Sequence, residues 1–176
     1  MEIAIIILLV IFTIILSIYN NLVKKKNAVK QSRSTINIYL LQRFNLIPNL
    51  VECVKGYTKH EKEIFENITK LRTEYEQTKQ LEKASKLNTQ INNLLLIIEN
   101  YPNLKSSESF LNLQKSLAKM EDQLQAARRL YNTDVTDYNT SLQTFPNNLI
   151  AKLFHFKPED LFNIAPSESQ NINISL

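Results

Sequence analysis

An uncharged apolar run at the start of the sequence constrains the fold more than any other feature. No Asp, Glu, Lys or Arg interrupts the chain from Ile3 to Val23, and the three lysines Lys24 to Lys26 follow directly. At about 1.5 Å per residue, a helix of this length covers roughly the 30 Å hydrocarbon core of a bilayer. The run therefore predicts a transmembrane anchor over residues 1–23.

Two other interpretations of this run fit the residues less well. A cleaved secretory signal begins with positive charge and ends in small residues, whereas the early charge here is Glu2 and the run leads into Tyr19-Asn20-Asn21. A buried core helix of a soluble domain needs a polar face, and the run has none. We therefore expect a retained anchor.

The charge distribution predicts which side of the membrane the rest of the chain occupies. Six basic residues and no acidic ones lie between Tyr19 and Val51, whereas 15 basic residues face 16 acidic ones from Glu52 onward. The positive-inside rule then predicts an external N-terminus and a cytoplasmic body. The basic cluster closest to the anchor either determines topology or also binds anionic head groups; it consists of Lys24, Lys25, Lys26, Lys30 and Arg33.

Composition and periodicity predict an all-α protein in which the N-terminal transmembrane helix continues into an antiparallel bundle of three or four long helices. The chain has one Gly and five Pro, so the tight turns of hairpins are rare. Apolar residues recur at helical spacing from Leu22 to Ile47, where Pro48 predicts a break or a kink. We expect the bundle domain to span residues 24–162, and residues 163–176 to form a loose tail.

The last long helix carries a heptad pattern. Apolar and aromatic residues follow each other at spacings of three and four, with a polar interruption at Asp134. Such a seam packs against partner helices at shallow angles, and its tyrosines would pack with their hydroxyls at a polar edge. Pro146 should end this helix, and the apolar segment after it should fold back on the bundle. The seam consists of Phe110, Leu113, Leu117, Met120, Leu124, Ala127, Tyr131 and Tyr138.

The sequence contains no arrangement of residues that indicates a catalytic or metal-binding site. The only cysteine is Cys53, and the two histidines are far apart without other ligands at metal-binding spacing. No Gly-rich phosphate loop, HExxH motif or nucleophile elbow occurs, so we predict no catalytic residue, no metal and no cofactor. We expect no nucleic-acid partner, since the basic cluster lies against the membrane and the charge of the remainder is nearly neutral.

Several motifs, in order along the chain, resemble one family. The stretch from Arg43 to Tyr57 (RFNLIPNLVECVKGY) resembles the signature of LemA family proteins, and YPxLK from Tyr101, ARRxYN from Ala127 and FPxxLIA from Phe145 are also similar. The resemblance implies a bacterial inner-membrane protein with one span and a helical-bundle domain. It implies no particular catalytic residues.

The sequence favours a non-catalytic interaction or scaffold module at the inner face of the membrane. Polar residues at spacings of three and four around Pro48 form a candidate interaction face, with a solvated helix surface as the plain alternative. The partners expected are the bilayer and a protein of unknown identity, a second copy of the chain included. The alternative function is a membrane-remodelling protein that zippers helices with a partner chain, which requires an open heptad seam. The candidate face consists of Arg43, Asn45, Asn49, Glu52, Lys55 and Lys59.

Overall fold

The computed structural model describes residues 1–55 and 62–162, and within these ranges the chain is helical without strands. This confirms the predicted all-α fold, with a long apolar N-terminal helix followed by further helices that pack together. The predicted tail over 163–176 lies outside the described residues. The helices are α1 (Glu2–Phe44), α2 (Ile47–Lys55), α3 (Lys62–Thr78), α4 (Leu81–Ile98), α5 (Pro102–Lys105), α6 (Glu108–Gln143) and α7 (Asn147–Leu153).

The chain divides into two compact units. The terminal unit combines Met1–Thr35 with the described residues from Ala126 onward, and the middle unit covers the described residues of Ile36–Gln125. Helices α1 and α6 each contribute to both units. The anchor helix therefore continues without a break into the folded part of the protein, as the apolar periodicity predicted.

The terminal unit has a bare apolar end and a packed end. Every side chain from Ile3 to Ile14 is exposed, although the segment is almost entirely apolar. Farther along α1 the apolar face becomes buried, beginning with Leu22 and Val29. The buried hydrophobic residues of this unit on α6 and α7 are Ala127, Tyr131, Val135, Tyr138, Ile150 and Ala151.

The middle unit is built on amphipathic helices that bury one face each. The rings of Phe44 and Tyr75 meet edge to face with centroids 5.1 Å apart, a favourable aromatic geometry. Helices α3 and α4 pack against each other after the chain turns at Lys79, whose φ is 52°. The polar stretch between them is therefore a turn, one of the two alternatives that the sequence leaves open.

The predicted helix boundaries follow their local signals. Helix α1 ends at Phe44, and Pro48 lies in the first turn of α2. Its missing N–H removes no hydrogen bond there, because the first N–H groups of a helix have no acceptor within the helix. Ser107 caps α6, because its Oγ accepts the N–H of Phe110 at 3.4 Å. Helix α6 ends before Pro146, as predicted. The proline at each of these two breaks thus has the expected effect.

The heptad seam of α6 is closed rather than open. Seven of its eight residues are buried, and Met120 is half-buried. The seam therefore belongs to the core of the chain itself. It presents no free apolar stripe to a second chain.

Candidate functional site

In the terminal unit, α7 packs against the C-terminal part of the apolar run. Ile150 and Ala151 of α7 form a buried cluster with Leu22 of α1. Side chains that partly cover this cluster are Ile15, Ile18, Tyr19, Leu142 and Phe156. The segment after Pro146 thus folds back onto the bundle, as predicted, and it does so beside the anchor.

Aromatic contacts fix the chain that follows α7 to the same part of α1. The ring of Tyr19 lies 4.8 Å from that of Phe154 and 5.8 Å from that of Phe156. The ammonium group of Lys26 lies 5.8 Å from the centroid of Phe156, within cation–π range. Tyr19 therefore contacts both phenylalanines, and Lys26, two helical turns farther along α1, contacts Phe156.

The predicted basic cluster lies along α1 next to these contacts. Lys24, Lys30 and Arg33 are exposed, whereas Lys25 and Lys26 are half-buried. The Nζ of Lys25 donates to the carbonyl oxygen of Asp137 at 3.3 Å. Two of the five cations thus contribute to packing within the terminal unit, and the other three face solvent.

Two tyrosines of α6 hold the segment of residues 157–162, which we term the C-terminal strap. The hydroxyl of Tyr131 donates to the carbonyl of Asp160 at 2.9 Å, and that of Tyr138 donates to the carbonyl of Lys157 at 3.0 Å. Both rings are buried in the seam. The predicted role of these tyrosines, apolar bodies with a polar tip, is confirmed.

Each tyrosine is followed by an asparagine that binds the strap through two hydrogen bonds. The amide of Asn139 donates to the carbonyl of Glu159 at 2.8 Å and accepts the N–H of Glu159 at 3.0 Å. Asn132 makes the same pair of bonds to Phe162, at 3.2 and 2.8 Å. Sequence reasoning missed this role, although the Tyr-Asn pairs recur one heptad apart.

Burial raises the pKa of both strap-binding tyrosines. Desolvation of the ring is the main cause for Tyr138, and the carboxylate of Glu159 adds to it. Desolvation also dominates for Tyr131, where nearby Glu159 and Asp160 raise the pKa and Arg33 opposes them. Both phenols therefore stay protonated and able to donate well above neutral pH.

The structure places the candidate interaction face in two environments. Asn45, Asn49, Glu52 and Lys55 are exposed along one side of α2 and the turn before it. Arg43 is only 6% exposed and forms an ion pair with Glu121. The assignment of Arg43 to a surface face is wrong, because this residue lies on the side of α1 that faces the core. Lys59 lies outside the described residues.

An open groove of about 620 Å³ adjoins this face in the middle unit. Its walls combine the apolar side chains of Val51 and Phe65 with polar ones from α2 and α3. Within 1–55 and 62–162, no group of three or more His, Cys, Asp or Glu side chains is placed to hold a metal ion.

A family model described as the LemA family matches residues 32–176, most of the chain. The chain belongs to the LemA family. It is 26% identical over 158 residues to Protein LemA of Metamycoplasma hominis, an alignment that covers 87% of this chain and 70% of the relative.

Two more distant relatives are magnetosome proteins. Magnetosome protein MamQ 2 of Paramagnetospirillum magneticum is 24% identical, with 85% of this chain and 66% of that protein covered. Magnetosome protein MamQ of Magnetospirillum gryphiswaldense is 22% identical, with 95% and 72% covered. The chain therefore spans about two thirds of the length of these relatives. Together with the apolar helix, the comparisons indicate a membrane-associated helical protein.

The motifs that carry the LemA resemblance have structural roles in this chain. Phe44, Leu50 and Val54 of the long signature are fully buried in the middle unit. The later Tyr131-Asn132 motif holds the C-terminal strap. Much of the LemA pattern is thus accounted for by packing, while the exposed positions around Pro48 are not needed for the core.

Proposed function

We propose that this LemA-family chain is a membrane-anchored interaction module without a catalytic site, whose helical body lies on the cytoplasmic side of the bacterial inner membrane. The observation that carries the proposal is the exposed apolar helix from Ile3 to Ile14. Within the described residues, one helix is long and apolar enough to cross a membrane, and its most apolar window is not covered by other parts of the chain. Leaving that much apolar surface in water would be costly, whereas a bilayer covers it.

The exposed cations support the proposed orientation. Lys24, Lys30 and Arg33 follow the anchor and face solvent, as expected for residues that stay on the cytoplasmic side. Glu2 precedes the run at the other end. Cysteine labelling tests this topology in a Cys53→Ser background, with Glu2→Cys and Ser116→Cys as single labelling sites.

An impermeant maleimide added to intact spheroplasts should label the cysteine at position 2 and reach the one at 116 only after permeabilisation. Both positions are exposed, so burial would not hide either thiol. Labelling at position 116 in intact spheroplasts would reverse the proposed orientation.

The exposed side of α2 is the proposed partner surface. Its buried side is formed by Ile47, Leu50, Val51 and Val54, so the fold does not need its polar side. Glu52 and Lys55 are both exposed on this side. A partner of complementary polarity can therefore bind there without disturbing the core.

Site-specific photocrosslinking in native membranes tests this surface. A photoreactive residue at Asn49 or Glu52 should give the same adduct, and one at Ser116, exposed in the same unit, should give none. Charge reversal at Glu52 and Lys55 should abolish the adduct at Asn49. Equal adducts at all three positions would count against a specific surface.

The buried heptad seam argues against the zipper alternative. Opening it would expose side chains such as Leu117, Leu124 and Tyr138, which are at most 3% exposed. At about 1.5–3 kcal/mol for each large apolar side chain, that step is strongly unfavourable. We therefore favour the interaction module over helix exchange with a partner.

A further inference from the structure

The outer side of α7 is apolar and uncovered. Ile150 and Ala151 face the buried cluster with Leu22, whereas Leu149 and Leu153, one helical turn apart, are 57% and 65% exposed. Phe145 before the helix and Phe154 at its end are also exposed. We term Phe145, Leu149, Leu153 and Phe154 the α7 ridge.

Helix α7, which carries this ridge, packs beside a defined part of the anchor. The α1 side chains around its packed face are Ile15, Ile18, Tyr19 and Leu22. These residues belong to the uncharged run that precedes Lys24. The helix therefore lies beside the last part of the apolar run and not beside the polar part of α1.

The length of the bare segment is too short to span a bilayer. Ile3 to Ile14 comprises 12 residues, or about 18 Å of helix against roughly 30 Å of hydrocarbon. The charge at Glu2 limits the run at its other end. The missing 12 Å or so correspond to about eight residues, which is the stretch from Ile15 to Leu22. The stretch needed to complete the span is therefore the one whose Ile15, Ile18, Tyr19 and Leu22 pack in the cluster with α7.

We propose that the α7 ridge inserts into the boundary between head groups and acyl chains of the bilayer that α1 spans, in the leaflet next to the lysine cluster. The inference rests on the proposed function, in which α1 is a transmembrane anchor. Because α7 covers α1 at the depth where the span is completed, its exposed leucines continue the lipid-facing surface of the anchor. Interfacial helices bury their apolar face by about 5–10 Å in this way.

The charges around α7 fit such a depth. Lys152, next to Leu153 in α7, is exposed, and its long side chain can extend from an apolar surface toward the head groups. No acidic residue occurs between Phe145 and Lys157. The segment therefore combines apolar contact area with cations that suit phosphate head groups.

Tryptophan fluorescence offers a direct test, because the chain contains no Trp. The full chain carrying Phe12→Trp, Leu149→Trp, Leu153→Trp or Leu130→Trp is reconstituted in phosphatidylcholine and phosphatidylglycerol vesicles with brominated acyl chains. Leu130 is the matched control: it is 52% exposed in the same unit, about 18 Å along α6 from Leu142 near α7.

We expect the variants at positions 12, 149 and 153 to lose about half or more of their emission to the bromines, and the variant at 130 to keep nearly all of it. Quenching at 12 with emission at 149 and 153 like that at 130 would overturn the inference and leave the anchor intact. Absence of quenching at 12 would overturn the proposed anchor itself. The two failures are therefore distinguishable.

Discussion

Removing one asparagine should increase the rate at which the whole C-terminal strap opens. Asn139→Ala deletes two hydrogen bonds to Glu159, of 2.8 and 3.0 Å, each contributing about 0.5–1.5 kcal/mol net. The sum is about 1–3 kcal/mol, from which up to about 0.7 kcal/mol is offset by the better helix propensity of Ala. With that full offset, the net loss is about 0.3–2.3 kcal/mol, which corresponds to a roughly 2- to 50-fold increase in the open population.

Native-state hydrogen exchange at the backbone N–H of Phe162 measures this effect. That amide is bonded to Asn132 and is not a partner of Asn139, so the substitution leaves its acceptor in place. If the strap opens as one unit, exchange at the Phe162 amide should accelerate by the same factor of roughly 2 to 50. The exposed Asn112 of α6 supplies the control variant Asn112→Ala, which changes helix propensity alone.

Independent exchange of the two bonded amides would contradict a cooperative strap. If only the Glu159 amide exchanges faster and the Phe162 amide keeps its wild-type rate, the two asparagines act independently and the strap is not a cooperative element. Asn139→Asp sharpens the test, because it keeps an acceptor for Glu159 but cannot donate to the carbonyl. Exchange at Phe162 in Asn139→Asp should accelerate at least as much as expected from the loss of that one donated bond.

Three further predictions concern stability, each measured by urea unfolding of the purified chain in detergent. Arg43→Ala should cost about 1–3 kcal/mol, since it leaves Glu121 without its buried partner while that carboxylate is still partly solvated; a cost below about 0.5 kcal/mol would show that the ion pair is dispensable. Leu94→Ala should cost about 2–5 kcal/mol, because the side chain is fully buried, and a smaller loss would mean that the middle unit repacks. The raised pKa of Tyr138 implies that stability falls as pH rises above about 10, since the phenol of the unfolded chain ionises first. Tyr138→Phe should be less stable than the wild type at about pH 8 but should lose less stability between about pH 8 and pH 11. An equal loss of stability in both chains would contradict this.

Much of the fold could be predicted because its signals are local. The uncharged run, the helical spacing from Leu22 onward and the two prolines each determine structure within a few residues of themselves. The assignment of Arg43 to the candidate interaction face failed because helical spacing was applied across a turn. Its spacing matches the polar side of α2, but it belongs to α1, and the two-residue turn after Phe44 changes which side faces the core.

The strap and the position of α7 depend on contacts far apart in the sequence. Asn132 binds a residue 30 positions later, and Leu22 packs against Ile150. A single sequence shows that Asn132 and Asn139 are one heptad apart, but not which backbone they bind. Long-range pairing of this kind requires the three-dimensional structure.

The composition of the terminal unit has a consequence for biosynthesis. It joins residues before Thr35 to residues after Ala126, so a ribosome must add more than 90 residues after the anchor emerges before any partner for it exists. At about 5–20 residues per second this interval lasts roughly 5–20 s. The described residues of the middle unit all lie within Ile36–Gln125 and are therefore synthesised before Ala126. The anchor therefore meets the membrane while the side of α1 that α7 later covers is still bare, and α7 can cover that side only after Leu153 has been synthesised.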